Sequence, residues 1–140
     1  MINIPTSATG PVIASQLNIP ARPWKKARMA KRVVAIRLQA MGDTVACLPY
    51  LQYLRHLLPA DVRLDMLTNE ETADIPRNID LFNNVYAIGG GRNFKKQVFH
   101  GAMLIPSLFR NGYEVVLDLQ NNELSRIIRR TIMPSAWTEF

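Results

Sequence analysis

Val33-Val34-Ala35-Ile36-Arg37-Leu38 runs straight into Gln39-Ala40-Met41-Gly42-Asp43, and beyond it apolar residues recur at Val45, Leu48, Leu51, Leu54, Leu57 and Leu58. The first six form a short β-branched apolar run, the pattern of a strand buried on both faces of a parallel sheet. The later series has the three- and four-residue spacing of a helix. Between them Gln39 to Gly42 reads as a tight loop. Asp43 falls in the first turn of the helix, where a carboxylate is favoured. Pro49 is expected to kink or restart this helix, and Pro59 to end it.

The alternation continues outward from that unit. Val62 to Leu67 interleaves apolar and charged residues, as expected of a strand nearer the sheet edge. Thr68 to Asp80 is acidic and predicts a short helix capped by Thr68 or Asn69. Val85 to Ile88 reads as a third strand and Gly89-Gly90-Gly91 as a loop. A helical region follows over Phe94 to Phe109, interrupted at Pro106, and Asn111-Gly112 marks its stop. Glu114 to Leu119 is a second strongly apolar strand, and Glu123 to Ile132 a last helix closed by Pro134. Strand and helix alternate four times. That order predicts an α/β fold, a Rossmann-like three-layer domain with a mostly parallel sheet. In such sheets ligands bind beyond the carboxyl ends of the strands. The loops Gln39 to Asp43 and Asp118 to Asn122 both fall there.

The chain has 140 residues, enough for one sizeable core, with 48% apolar and 20% charged residues. Those shares exclude a disordered chain, a collagen-like fibre and a disulfide scaffold. One cysteine, Cys47, cannot form an internal disulfide and fits a reducing compartment. No run reaches the ~18 to 20 apolar residues that span a bilayer, and the Pro- and Ser-containing start lacks the pattern of a signal peptide. The net charge of +6 is unevenly placed: seven basic residues and no acidic one precede Asp43, and the remainder is nearly neutral. Residues 1–31 read as a flexible, basic, Pro-containing arm, broken at Pro5, Pro11, Pro20 and Pro23, with residues 32–140 as the folded domain. The cluster Lys25, Lys26, Arg28, Lys31 and Arg32 is either a solvated edge or a contact with an anionic membrane surface. Trp24 beside it fits an interfacial anchor.

Two motifs carry chemistry. Gly42-Asp43 sets a carboxylate at the rim of the expected crevice, behind a residue that lets the backbone approach a ligand. Asp43 can deprotonate a sugar or alcohol hydroxyl from there, or simply cap its helix. Asp118-Leu119-Gln120-Asn121-Asn122 ends a strand with an acid and amides. They can meet a polyhydroxylated ligand, or Asp118 and Asn122 can satisfy loop amides and cap the next helix. Gly89 to Arg92 has neither dinucleotide nor Walker spacing and reads as a turn. His56 lies at a helix surface, His100 has no second ligand nearby, and no metal-ligand spacing occurs.

Arg37-Leu38-Gln39-Ala40-Met41-Gly42-Asp43-Thr44-Val45, followed by Leu48-Pro49 and Leu54-Arg55, resembles the opening of glycosyltransferase family 9, the ADP-heptose:lipopolysaccharide heptosyltransferases. Tyr113 to Gln120 resembles that family's second signature. The resemblance covers about residues 32 to 140. It departs from the family at Gln39 and Ala40, where small hydroxyl residues are common, and at Asn121, where a glycine is common. It implies the N-terminal half of a GT-B glycosyltransferase, two Rossmann-like domains facing a cleft. It implies inverting transfer of a heptose from a nucleotide-activated sugar, ADP-heptose, to a lipid-linked saccharide of the lipopolysaccharide core, without a metal or resident cofactor.

In that frame Asp43 is the general base. Met41, Gly42, Thr44, Asp118 and Gln120 stand on the acceptor side. The location implied is cytoplasmic, peripheral on the inner face of the inner membrane. The donor-binding domain is expected to be absent, leaving the chain inactive alone and its last strand without a partner. Two other readings remain open: a non-catalytic α/β module that binds a ligand or partner, and a nucleic-acid binder suggested by charge alone. The position of that charge in front of a neutral fold argues against nucleic acid.

Overall fold

The computed structural model describes residues 20–139. The expected strand–helix units are present in the expected order. Strand β1 (Ala21–Arg22) comes first, then β2 (Arg32–Ile36), helix α1 (Met41–Leu57) and β3 (Arg63–Asn69). They are followed by α2 (Asp74–Arg77), β4 (Val85–Ile88), α3 (Phe94–Asn111), β5 (Val115–Asp118), α4 (Glu123–Ile132) and β6 (Ala136–Glu139). The six strands form one sheet in the order β1-β6-β5-β2-β3-β4.

All neighbours pair in parallel except β1, which runs antiparallel to β6. From β2 the chain steps out through β3 to β4. It then crosses back to lay β5 on the other side of β2, and β6 beyond it. The order reverses between β2 and β5, the junction where α/β sheets open a crevice for ligands. Register holds the two strand ends level there: Ile36 lies opposite Asp118.

The strand residues divide by alternation. Val34, Ile36, Leu67 and Val116 pack with Leu108, Leu124 and Ile128 of α3 and α4 in the largest cluster. Ala35 faces the other way, onto Leu51 of α1, with Leu48 and Leu54 alongside. Right-handed crossovers put α1 and α2 on one face and α3 and α4 on the other.

Several expectations are corrected. The described part of the supposed arm, from Pro20 on, belongs to the domain's edge rather than standing in front of it. Ala21 pairs with Thr138 and Arg22 with Trp137. Arg28 forms an ion pair with Glu114 and Lys31 one with Asp61, and the Lys31 amide donates to Glu114 at 2.7 Å. The Arg28 guanidinium, then the Lys31 amide, hold the Glu114 carboxyl below its ordinary range. Residues 1–19 of the expected arm lie outside the described residues. The final strand does not lack a partner: β6 lies between β5 and β1.

β3 lies next to the edge strand β4 but is paired on both sides, and its Asp65 is fully buried. Asp65 accepts from Arg63 Nε at 3.2 Å, from the Asn84 amide at 2.9 Å and from the Tyr113 hydroxyl. Burial, and then the Asp65 carboxylate, push the Tyr113 hydroxyl far above its usual range, so it stays a neutral donor. The charged alternation that suggested an edge strand is a satisfied buried carboxylate.

Neither internal proline breaks its helix. α1 passes Pro49 and α3 passes Pro106, both exposed, so each ring costs one backbone bond on a solvent face while the opposite face stays packed. The short acidic helix starts later than expected, at Asp74. Asn69 closes the preceding turn by accepting from the Thr72 amide and hydroxyl, each at 2.8 Å. The triple-glycine loop has a steric reason. A Cβ on Gly90, at φ 103°, would sit 2.7 Å from the Gln97 amide nitrogen.

Candidate active site at the strand crossover

The loop after β2 is fastened from both sides. Arg37 N–H donates to Leu67 O at 2.9 Å, and Asn69 Nδ2 donates to Leu38 O at 2.8 Å. Gln120, from the loop after β5, turns its Oε1 towards it and accepts from the amides of Leu38 at 2.9 Å and Gln39 at 3.0 Å. Arg37 Nη1 donates to Leu119 O. The two loops singled out in the sequence are thus one hydrogen-bonded assembly.

The backbone turns at Ala40, not at the glycine. Ala40 takes φ 52°, ψ 126°, whereas Gly42 has ordinary helical geometry in the first turn. Positive φ is costly for alanine, and strain of this kind gathers at functional loops. The α1 N-terminus has no side-chain cap. Asp43 therefore does not cap its helix. Its Oδ2 lies 2.6 Å from Arg37 Nη2, and its side chain is 55% exposed. A Cβ on Gly42 would meet nothing within 4 Å, so the space beside Asp43 is open.

Arg37, Asp43, Ala46, Cys47, Tyr50 and Leu119 line a cleft of about 530 Å³ at this point. Asp43, Cys47 and Tyr50 recur at four- and three-residue spacing, so one stripe of α1 forms its wall. Tyr50 is 78% exposed, an aromatic ring left open beside the carboxylate. Burial raises the Cys47 thiol, and its Sγ donates to Thr44 O at 3.0 Å, which makes it a wall rather than a nucleophile.

The other expected site residues fall into two groups. Met41 and Gly42 are exposed beside Asp43. Thr44 and Asp118 are fully buried. Asp118 accepts from the amides of Gln120 at 3.2 Å and Asn121 at 2.9 Å, and from Ser125 Oγ at 3.0 Å. Asn122 and Ser125 form a reciprocal capping box on α4. Asp118 and Gln120 thus hold the loops in place. Asn121, where the resembled pattern favours glycine, takes φ 50°, a conformation asparagine tolerates better than most residues. The cleft residues Ala46, Cys47 and Tyr50 were missed in the sequence. Counting one helical face forward from Asp43 would have found them.

Of the basic cluster, Arg28 and Lys31 are ion-paired within the domain and Arg32 donates to Asn111 O. Lys26 Nζ lies 5.2 Å from the Trp24 ring centroid. Among the described residues no three His, Cys, Asp or Glu side chains gather to hold a metal ion, and no helix is long and apolar enough to cross a membrane.

A Rossmann-like α/β domain with an open carboxylate at its strand crossover is the class these features define. Its fold is that of glycosyltransferase structures. The glycosyl transferase family 9 protein from Veillonella parvula DSM 2008 superposes with TM-score 0.68 at 16% identity, over 79% of this chain and 32% of that one. E. coli heptosyltransferase WaaC with ADP-2-deoxy-2-fluoro heptose gives TM-score 0.57 at 20% identity, over 69% of this chain and 32% of that one. WaaC with ADP gives 0.51 at 22%, over 62% and 27%. The chain therefore spans about a third of the length of these structures. No protein-family model and no curated protein matches it.

Proposed function

We propose that this chain is the acceptor-side domain of an inverting glycosyltransferase that moves a heptose from ADP-heptose to a lipid-linked saccharide of the lipopolysaccharide core. The observation that carries this reading is Asp43: an exposed carboxylate, uncommitted to capping, held by Arg37 at the mouth of a cleft where the strand order reverses. The likeness in fold to a heptosyltransferase supports the choice of reaction.

In the proposed step an acceptor hydroxyl enters beside Gly42 and hydrogen-bonds to Asp43. Its oxygen attacks the anomeric carbon as the bond from that carbon to the nucleotide's phosphate oxygen breaks. The electron pair leaves with the nucleoside diphosphate, and Asp43 takes the hydroxyl proton. Attack on the face opposite the leaving group inverts the stereochemistry. Arg37 fixes the carboxylate's orientation, Met41 and Tyr50 flank the acceptor, and Asp118 and Gln120 keep the loop shaped around it. The nucleotide sugar is a co-substrate bound chiefly by a second domain. The 140-residue chain alone accordingly gives no turnover in a sugar-transfer assay, and robust transfer by it would refute that division of labour.

The test of the base is Asp43→Asn in a transferase carrying this domain with its donor-binding half. The expected loss in kcat is at least about 100-fold, about 2.7 kcal/mol of transition-state stabilisation, with unchanged folding. Near-normal turnover would remove Asp43 from the mechanism. Contact with an anionic membrane, proposed for the basic cluster, rests on Lys25 and Lys26, since Arg28, Lys31 and Arg32 are bonded within the domain. Equal co-sedimentation of the chain and its Lys25→Gln/Lys26→Gln form with anionic liposomes would dispose of that contact.

A further inference from the structure

The sheet margin holds a second concavity, on the face opposite α1. It measures about 520 Å³ and is walled by Arg22 of β1, Arg129 and Arg130 of α4, Met133, and Trp137 and Glu139 of β6. Its charge is unbalanced. Glu139 is the one carboxylate lining it, and Glu139 is already bound by Arg129 Nη2 and approached by Arg126 Nε at 3.4 Å. Arg22 and Arg130 are exposed and, among the described residues, form no ion pair.

Arg129 is the unusual member. It is 5% exposed, its Cζ lies 3.8 Å from the Trp137 ring centroid, and its Nε and Nη1 are buried without a hydrogen-bond partner. An unpaired buried donor on a charged group is costly, and it persists where something supplies the missing acceptor. The segment before β1 cannot supply an anionic side chain, because residues 1–19 contain no acid.

We infer that this pocket is an anion site for a phosphate group, separate from the Asp43 cleft. Three guanidiniums converging on one concavity suit a phosphate better than a carboxylate. A phosphate dianion offers several oxygens to planar, fork-shaped donors and balances more than one positive charge. The Trp137 ring, 3.8 Å from Arg129 Cζ, holds that guanidinium at the pocket wall beside Arg22 and Arg130. The phosphate is carried either by a soluble phosphate ester or by an anionic lipid headgroup.

Thermal melts of the 140-residue chain in sodium phosphate and in sodium chloride at matched ionic strength test the site. At phosphate about tenfold above its Kd, Tm rises by about 5 °C over chloride. Arg129→Gln also breaks the Glu139 pair, so the decisive variant is Arg22→Gln/Arg130→Gln, both exposed residues. It keeps the far-UV spectrum and binds inorganic phosphate at least tenfold more weakly by calorimetry. Vesicles of phosphatidylglycerol in phosphatidylcholine separate the sources. Sedimentation with them, competed by phosphate at fixed ionic strength, assigns the headgroup. Phosphate binding without sedimentation assigns the soluble ester. Equal melts in phosphate and chloride, or undiminished phosphate affinity in the double variant, overturn the inference.

Discussion

Two loops leave neighbouring strands at the centre of the sheet, and an aspartate flanks each: Asp118 ends β5, and Asp43 lies in the first turn of α1. Asp118 is wholly buried and accepts three hydrogen bonds from its own loop and helix. Asp43 is 55% exposed, has a single ion-pair partner in Arg37 and opens onto the cleft. Both border the same strand crossover, yet one carboxylate is consumed by structure and the other is left for chemistry. The difference comes from the helices that follow. α4 is capped by Asn122 and Ser125, so the loop before it closes on itself around Asp118. α1 has no side-chain cap, and its loop is held by groups reaching across from Gln120 and Asn69. A loop anchored from outside keeps its own side chain free.

The sharpest way to break this contrast is to measure both aspartates for stability. Asp118→Ala is expected to lower the unfolding free energy by about 3 kcal/mol, because it strands buried donors. Asp43→Ala should cost less than about 1 kcal/mol, as is usual for an exposed pair. Equal costs in urea melts would erase the distinction. Gln120→Ala should cost about 2 kcal/mol and speed amide exchange at Leu38 and Gln39 about tenfold, if the loops are joined as described. Unchanged exchange at those two amides would show that they are held by something else.

Asp65 offers a third carboxylate for comparison, again buried and satisfied. Its partner Tyr113 has a raised folded-state value, so the folded chain keeps that proton while the unfolded chain loses it above about pH 10. The unfolded state then binds fewer protons, and stability falls by about 1.4 kcal/mol per pH unit beyond that point. Tyr113→Phe should flatten that slope relative to the parent; the same alkaline slope in both would free Tyr113 of the role. The smallest effect concerns the strained turn. Ala40→Gly relieves a positive φ and should stabilise the chain by about 1 kcal/mol. A destabilisation would mean that Ala40 is not strained.

Much of this was legible in residue order. The apolar runs of β2 and β5 and the order of the four helices followed from periodicity alone. The position of Asp43 at a loop beyond a buried strand followed from the same pattern. β1 escaped because a two-residue strand in a Pro-bounded segment has no period to read and exists only through its pairing with β6, and β6 escaped because four residues beyond Pro134 are too short to show one. The burial of Asp65 in β3 was not legible because a charged residue in a strand signals solvent unless its partners are known, and those of Asp65 come from residues 84 and 113.

The sequence by itself determined the α/β class, the strand-to-helix units and the two loops that meet at the strand crossover. These depend on local spacing and on burial demanded by apolar side chains. Only the tertiary structure decided which aspartate stays open, that residues 20–31 edge the domain, and that a buried Arg129 lacks acceptors beside Trp137. Hydrogen-bond satisfaction is a property of groups brought together from distant parts of the chain, and no local pattern encodes it.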